Sequence, residues 1–89
     1  LGNLGNAYRN LGETRRAIEY YKQALAISRE IGDRQGEGNR LGNLGLVYAN
    51  LGDVHQEMEH YQQALAIARE TGDRQGEGMW LGNLGNVYQ

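Results

Sequence analysis

The 89-residue chain has no cysteine and no proline. Without cysteine there is no disulfide framework and no thiolate metal site. Without proline no helix is broken by a missing donor. No apolar run reaches the roughly 18 residues that a membrane span needs. Neither sign of charge dominates: nine basic residues face eleven acidic ones, for a net charge of -2. That balance offers no basic face for nucleic acid. The opening Leu1-Gly2-Asn3-Leu4 has neither the basic nor the apolar region of a secretory signal, so a reducing, cytoplasmic setting is expected. A chain this short buries only about 60–65% of its unfolded surface, so a lone globule would be marginal.

Glycine, by contrast, is abundant, with 14 residues at regular intervals. Residues 1–40 and 41–80 are identical at 25 of 40 positions. Leu1-Gly2-Asn3-Leu4-Gly5 returns as Leu41-Gly42-Asn43-Leu44-Gly45 and again as Leu81-Gly82-Asn83-Leu84-Gly85. The segment Gly32 to Gly38 returns unchanged as Gly72 to Gly78. One array is expected: repeat one over 1–40, repeat two over 41–80, and the start of repeat three over 81–89. Such near-identity suits a consensus-like design or a recent duplication equally.

Each period reads as two helices. In the second copy Leu41, Leu44, Tyr48 and Leu51 recur at steps of three and four, one face of a helix. Gly52 follows as a left-handed stop, and Asp53 caps the next helix. There Val54, Met58, Tyr61, Leu65 and Ala68 again share a stripe. Gly72 and Asp73 close that helix and open another. The same reading places turns at Gly12-Glu13 and Gly32-Asp33, with Glu13 the weaker cap. A glycine inside a helix costs about 1 kcal/mol relative to alanine, so Gly45 needs a packing reason. Close approach of the partner helix supplies one, with Ala24 and Ala64 as the matching small residues. The fold class predicted is all-α: a right-handed solenoid of antiparallel helix hairpins.

These residues resemble the tetratricopeptide repeat. That pattern opens with a large apolar residue, then two places, Leu-Gly, two places and Tyr. It is met by Leu1, Leu4-Gly5 and Tyr8, by Leu41, Leu44-Gly45 and Tyr48, and by Leu81, Leu84-Gly85 and Tyr88. Ala17, Tyr21 and Ala24 fit the second helix, as do Tyr61 and Ala64. The period of 40 exceeds the usual length of about 34, and the closing proline is missing. In this the chain is similar to the long-period subclass that includes kinesin light chain, Leu-Gly-Asn-rich spindle adaptors and bacterial multi-repeat proteins. The leading aromatic is leucine throughout. Glu57 stands where the pattern has a small residue, and burial of its carboxylate there would be costly.

The resemblance implies a non-enzymatic scaffold that binds a protein or peptide in a concave groove lined by the first helices. Helical spacing puts Asn3, Asn6, Arg9 and Asn10 on that face in copy one. In copy two it puts Asn39, Gly42, Asn43, Leu46, Ala49 and Asn50 there. The third copy contributes Met79, Gly82, Asn83, Asn86 and Gln89. A side-chain amide offers an acceptor and two donors, suited to peptide main chain, which is how the family uses groove asparagines. Their other role is to keep an exposed face soluble, or to bond within their own helix. Arg9 would meet an acidic group on the ligand. The lysines of the family's peptide-carboxylate clamp are absent from this face.

The alternative function is self-assembly, by end-to-end stacking or helix exchange. Leu1 starts partway through a first helix, and Gln89 stops before a third hairpin is complete. Leu81, Leu84, Tyr88 and Trp80 are the residues expected at such a contact. Trp80 and Met79 replace Arg40 and Asn39, either as an interface hot spot or as a variation in packing.

No cofactor or metal site is predicted. His55-Gln56-Glu57-Met58-Glu59-His60 fits neither zinc-protease spacing, and His55 with Glu59 reads as a solvated face. Gly36-Glu37-Gly38 does not continue as a phosphate loop, and with Ser28 the only serine no nucleophile-and-base set is present. Arg15, Arg16, Arg29, Arg34, Arg69 and Arg74 alternate with acids and are expected to form exposed pairs of small worth.

Overall fold

The computed structural model describes residues 3–89, with side chains from Gly12 onward. It contains four α-helices: α1 (Asn3–Ile31), α2 (Arg34–Leu51), α3 (Val54–Thr71) and α4 (Arg74–Val87). No strand occurs among the described residues. Each helix packs on the next, α1 on α2, α2 on α3 and α3 on α4. Two-residue turns reverse the chain each time, so neighbours run antiparallel. The result is an all-α solenoid of about two repeats, 46 × 33 × 19 Å in extent.

The three turns are built alike. Gly32, Gly52 and Gly72 take φ near +75°, the left-handed conformation that suits glycine. The following aspartate then works in both directions. The Asp33, Asp53 and Asp73 amides donate back to Ser28, Tyr48 and Ala68 carbonyls at 2.8–3.0 Å. Their carboxylates accept from Gly36, Gln56 and Gly76 amides at 2.9, 3.2 and 2.9 Å. One residue thus seals the end of one helix and caps the start of the next. Asp33 and Asp73 start α2 and α4 seven residues ahead of Leu41 and Leu81.

The predicted turn at Gly12-Glu13 is not formed. Gly12 has no positive φ, and α1 runs unbroken from Asn3 to Ile31 over 29 residues. The cause is the residue after the glycine. Aspartate is a preferred N-cap worth about 1 kcal/mol, close to the cost of carrying glycine inside a helix. Glu13 is a poor cap and a good helix former, so the balance tips toward continuation.

The core lies between α2, α3 and α4. Leu41, Leu44, Tyr61, Ala64, Leu65, Ile67, Ala68 and Trp80 are buried there, joined by Ile18 and Leu25 from α1. The helix glycines permit this. A methyl group on Gly38 would come 2.8 Å from Ile67 Cγ2, and one on Gly45 would come 2.6 Å from Tyr61 Cδ1. At Gly42 it would meet the indole of Trp80. The Gly45 partner is therefore the Tyr61 ring, while Ala64 lies opposite Gly38, its carbonyl oxygen 3.9 Å from where a methyl group on Gly38 would sit. Tyr61 stacks on Trp80 with ring centroids 5.8 Å apart and planes 21° apart.

Candidate protein-binding face

The outward face of α2 follows from its inward one. Leu41, Leu44 and Gly45 turn into the core, and the residues a third of a turn away turn out. Asn39, Leu46 and Asn50 are exposed, and Asn43 and Ala49 are half-buried. Asn39, Asn43, Leu46 and Asn50 are spaced four, three and four apart, so they form one stripe. On α4, Met79 and Asn86 are exposed, Asn83 is half-buried, and Gln89 just beyond is exposed. No side-chain amide of these asparagines hydrogen-bonds another described residue, and those of Asn39, Asn50 and Asn86 belong to exposed residues. Asn3, Asn6, Arg9 and Asn10 lie outside the residues whose side chains are described. A cleft lined by Gln35, Asn39, Thr71 and Trp80 among others encloses about 160 Å³ of open volume. That is below the range of about 300–1,000 Å³ typical of small-molecule pockets.

Two expected surface residues are placed differently. Gly42 lies beneath the Trp80 indole and is buried, so it leaves the groove set. Trp80 is only 4% exposed and belongs to the core. Its indole occupies the space that Gly42 leaves, and that removes it from the self-association set. Leu81 and Tyr88 are exposed, and Leu84 is partly buried against the core.

The charged residues do more than the sequence pattern suggests. Glu37 is buried at the junction of α1 and α2. It accepts from Arg29 Nε at 3.0 Å and from Arg34 Nη1 at 2.9 Å. Burial works against its ionisation, but the two guanidinium hydrogen bonds outweigh that and hold its carboxyl below the usual range. Arg34 also forks onto Glu70 at the end of α3, through Nε at 2.6 Å and Nη2 at 2.9 Å. This bond holds the Glu70 carboxyl below its usual range and raises the arginine further. The chain Arg29–Glu37–Arg34–Glu70 thus ties three helices together. In the next period Arg69 and Arg74 meet Glu77 at 3.2 and 3.1 Å in the same way. Glu37 was missed as a buried hub, although the unchanged return of Arg34, Glu37, Arg74 and Glu77 marks the pattern.

Glu57 avoids the expected burial cost. Its side chain is half-exposed while its backbone carbonyl approaches Gly45. Burial, with the nearby Glu57 carboxylate, pushes the Tyr61 hydroxyl up to about 12. His55 and Glu59 are 3.6 Å apart on the solvent side. Among the described residues no cluster of three or more metal-ligating side chains occurs. No described helix is long and apolar enough to cross a membrane.

A stack of antiparallel helix hairpins, with glycine close contacts inside and an amide stripe outside, defines a helical-repeat protein. The sequence profile described as "Tetratricopeptide repeat" matches residues 1–70. The chain belongs to the tetratricopeptide repeat family, whose repeats generally mediate protein–protein interaction. A stretch of 34 residues is 59% identical to human G-protein-signaling modulator 1. That stretch is 38% of this chain and 5% of that protein, so the chain spans a small fraction of its relative.

Proposed function

We propose that the chain is a scaffold that holds an extended or helical peptide along the α2 and α4 faces. The observation that supports this reading is the stripe of Asn39, Asn43 and Asn50 around exposed Leu46, with Asn83 and Asn86 repeating it one period on. Each unbonded amide can take one main-chain carbonyl and one main-chain N–H of a ligand. Leu46 and Met79 supply apolar contact between the amides, and both are exposed.

Peptides selected on the chain from a displayed random library provide the probe. Replacing Asn39, Asn43 and Asn83 by alanine should weaken the selected peptides at least about tenfold, since each lost hydrogen bond is worth about 0.5–1.5 kcal/mol. The helical circular dichroism signal should stay unchanged. Peptides that bind the triple variant as tightly as the parent chain would refute the reading.

A further inference from the structure

Helices α2, α3 and α4 do not close completely where they meet. The cleft beside Asn39 lies at this junction, and every residue that forms it falls between Gln35 and Trp80. Its floor is carbon, since Ala64, Ile67 and Ala68 of α3 are all buried there. Gly38 on the α2 wall has no side chain, and Ala64 and Ala68 have only a methyl group, so the packed helices leave a depression. Trp80 forms the α4 wall. Its ring is held by Tyr61, with centroids 5.8 Å apart, and by Gly42 beneath it, so the wall stands ready before anything binds. In the preceding period Arg40 stands in the place of Trp80, so the two periods do not offer the same wall.

The lip of the cleft is polar and uncharged. Gln35 and Asn39 are exposed, and neither side chain hydrogen-bonds another described residue. Asp73 is the one charged residue of the lining, and its Oδ1 already accepts from the Gly76 amide at 2.9 Å. A charge placed over the carbon floor would lose its water without gaining a free counter-charge, and a carboxylate would also face Asp73. Size sets the other limit. The open volume of about 160 Å³ is partly shared with solvent, so it is an upper bound. At about 30 Å³ for each water-sized group, it holds about five at most. That is room for the carbons of an aliphatic side chain and not for an aromatic ring.

We infer that the cleft takes one aliphatic side chain, of valine to leucine size, from a peptide bound on the asparagine face. This rests on the reading of that face as a peptide site, and it adds what the amides cannot supply. Side-chain amides hold any main chain alike, whereas the cleft selects a side chain. Gln35 and Asn39 bond the main chain beside the anchor. Trp80 serves the core through its stack on Tyr61 and the peptide through the cleft wall.

Peptides selected on the whole chain from a displayed random library are the probe, and substitutions made in them leave the protein's own folding out of the test. Anisotropy of the labelled peptide reads binding. The indole N–H resonance of Trp80, the single tryptophan of the chain, reads entry into the cleft. The selected peptides should share one Val, Ile or Leu position. Alanine there should weaken binding about three- to tenfold, and aspartate, lysine or tryptophan there should weaken it further. The indole resonance should move with the selected peptide and much less with its alanine form. Peptides that lose affinity for the Asn39, Asn43 and Asn83 triple variant, yet share no aliphatic position or leave the indole resonance unmoved, would overturn the anchor and leave the amide reading intact. Peptides that keep their affinity for the triple variant, yet carry the anchor and move the indole resonance, would support the anchor and overturn the amide reading. A chain on which no peptide can be selected would overturn both.

Discussion

Repeat one and repeat two share most of their residues and differ in shape. Around Gly52-Asp53 the chain reverses and α3 folds back on α2, burying Tyr61 and Ala64. Around Gly12-Glu13 it continues as one helix, and Tyr21 and Ala24 stay half-buried. A single methylene separates aspartate from glutamate at the position after the glycine. That is enough because a hairpin turn in this fold is a near-balance between a capping bond and a helical glycine, each about 1 kcal/mol. The packing that favours closure in repeat two, the indole of Trp80 over Gly42, has an arginine in its place in repeat one. Sequence identity at the apolar positions thus specifies helices, while the turn and its nearest packing residue decide whether two helices close.

The largest contrast is expected at the tyrosines. Tyr61→Ala removes a buried ring that contacts Gly45 and Trp80 and should cost about 3–5 kcal/mol, enough to unfold so small a chain. Tyr21→Ala should cost well under half as much, measured by urea unfolding under the same conditions. Equal losses would mean that repeat one closes like repeat two.

A smaller effect is expected at Glu37. Glu37→Gln keeps the shape but loses the charge on two guanidinium hydrogen bonds, and should cost about 1–2 kcal/mol. Glu77→Gln should cost about 0.5 kcal/mol or less, because Arg74 carries no onward fork to a second helix. The pH dependence follows from the same bonds. The Glu37 and Glu70 carboxyls are held below the ordinary glutamate value of about 4.5 in the fold. Their contribution is therefore complete above that value and is lost as pH falls through the lower, folded pKa values. Stability should fall below about pH 4.5, and fall less steeply in the Glu37→Gln variant, whose already reduced stability no longer depends on that proton. A Glu37→Gln acid profile parallel to the parent would contradict this.

The smallest contrast lies in the caps. Asp53→Ala should cost about 1 kcal/mol, and Glu13→Ala close to nothing, since Glu13 sits inside α1. Thermal unfolding of the two variants checks this, and a loss at Glu13 matching that at Asp53 would place a turn at Gly12.

Much of the fold can be read from spacing alone. Leu41, Leu44, Tyr61, Leu65 and Ala68 lie on helical stripes that end at glycine-aspartate pairs, and these are local signals. What the sequence hides depends on residues far apart along the chain. Glu37 joins Arg29, Arg34 and, through Arg34, Glu70, a set that converges only after three helices have packed. Trp80 reads as surface or core until Gly42, 38 residues earlier, is seen beneath it. Gly42 itself falls on the groove face by spacing, and that burial takes it off. The amide stripe of Asn39, Asn43 and Asn50 is legible because exposure on a helix follows from periodicity. Its ligand is not, because an asparagine offers the same atoms to any peptide main chain. The continuous helix at Gly12 is not legible from spacing, since a capping bond and a helical glycine oppose each other there with nearly equal weight.

The absence of native cysteine makes one distance directly measurable. Spin labels on cysteines introduced at Asn6 and Gln23 report whether repeat one is straight or folded. A continuous α1 separates them by 17 residue steps of about 1.5 Å each, for a backbone separation of about 26 Å. Pulsed electron resonance should find that separation in dilute and concentrated samples alike. A dominant separation near 10 Å, the spacing of packed antiparallel helices, would show a hairpin closed at Gly12 and contradict the account.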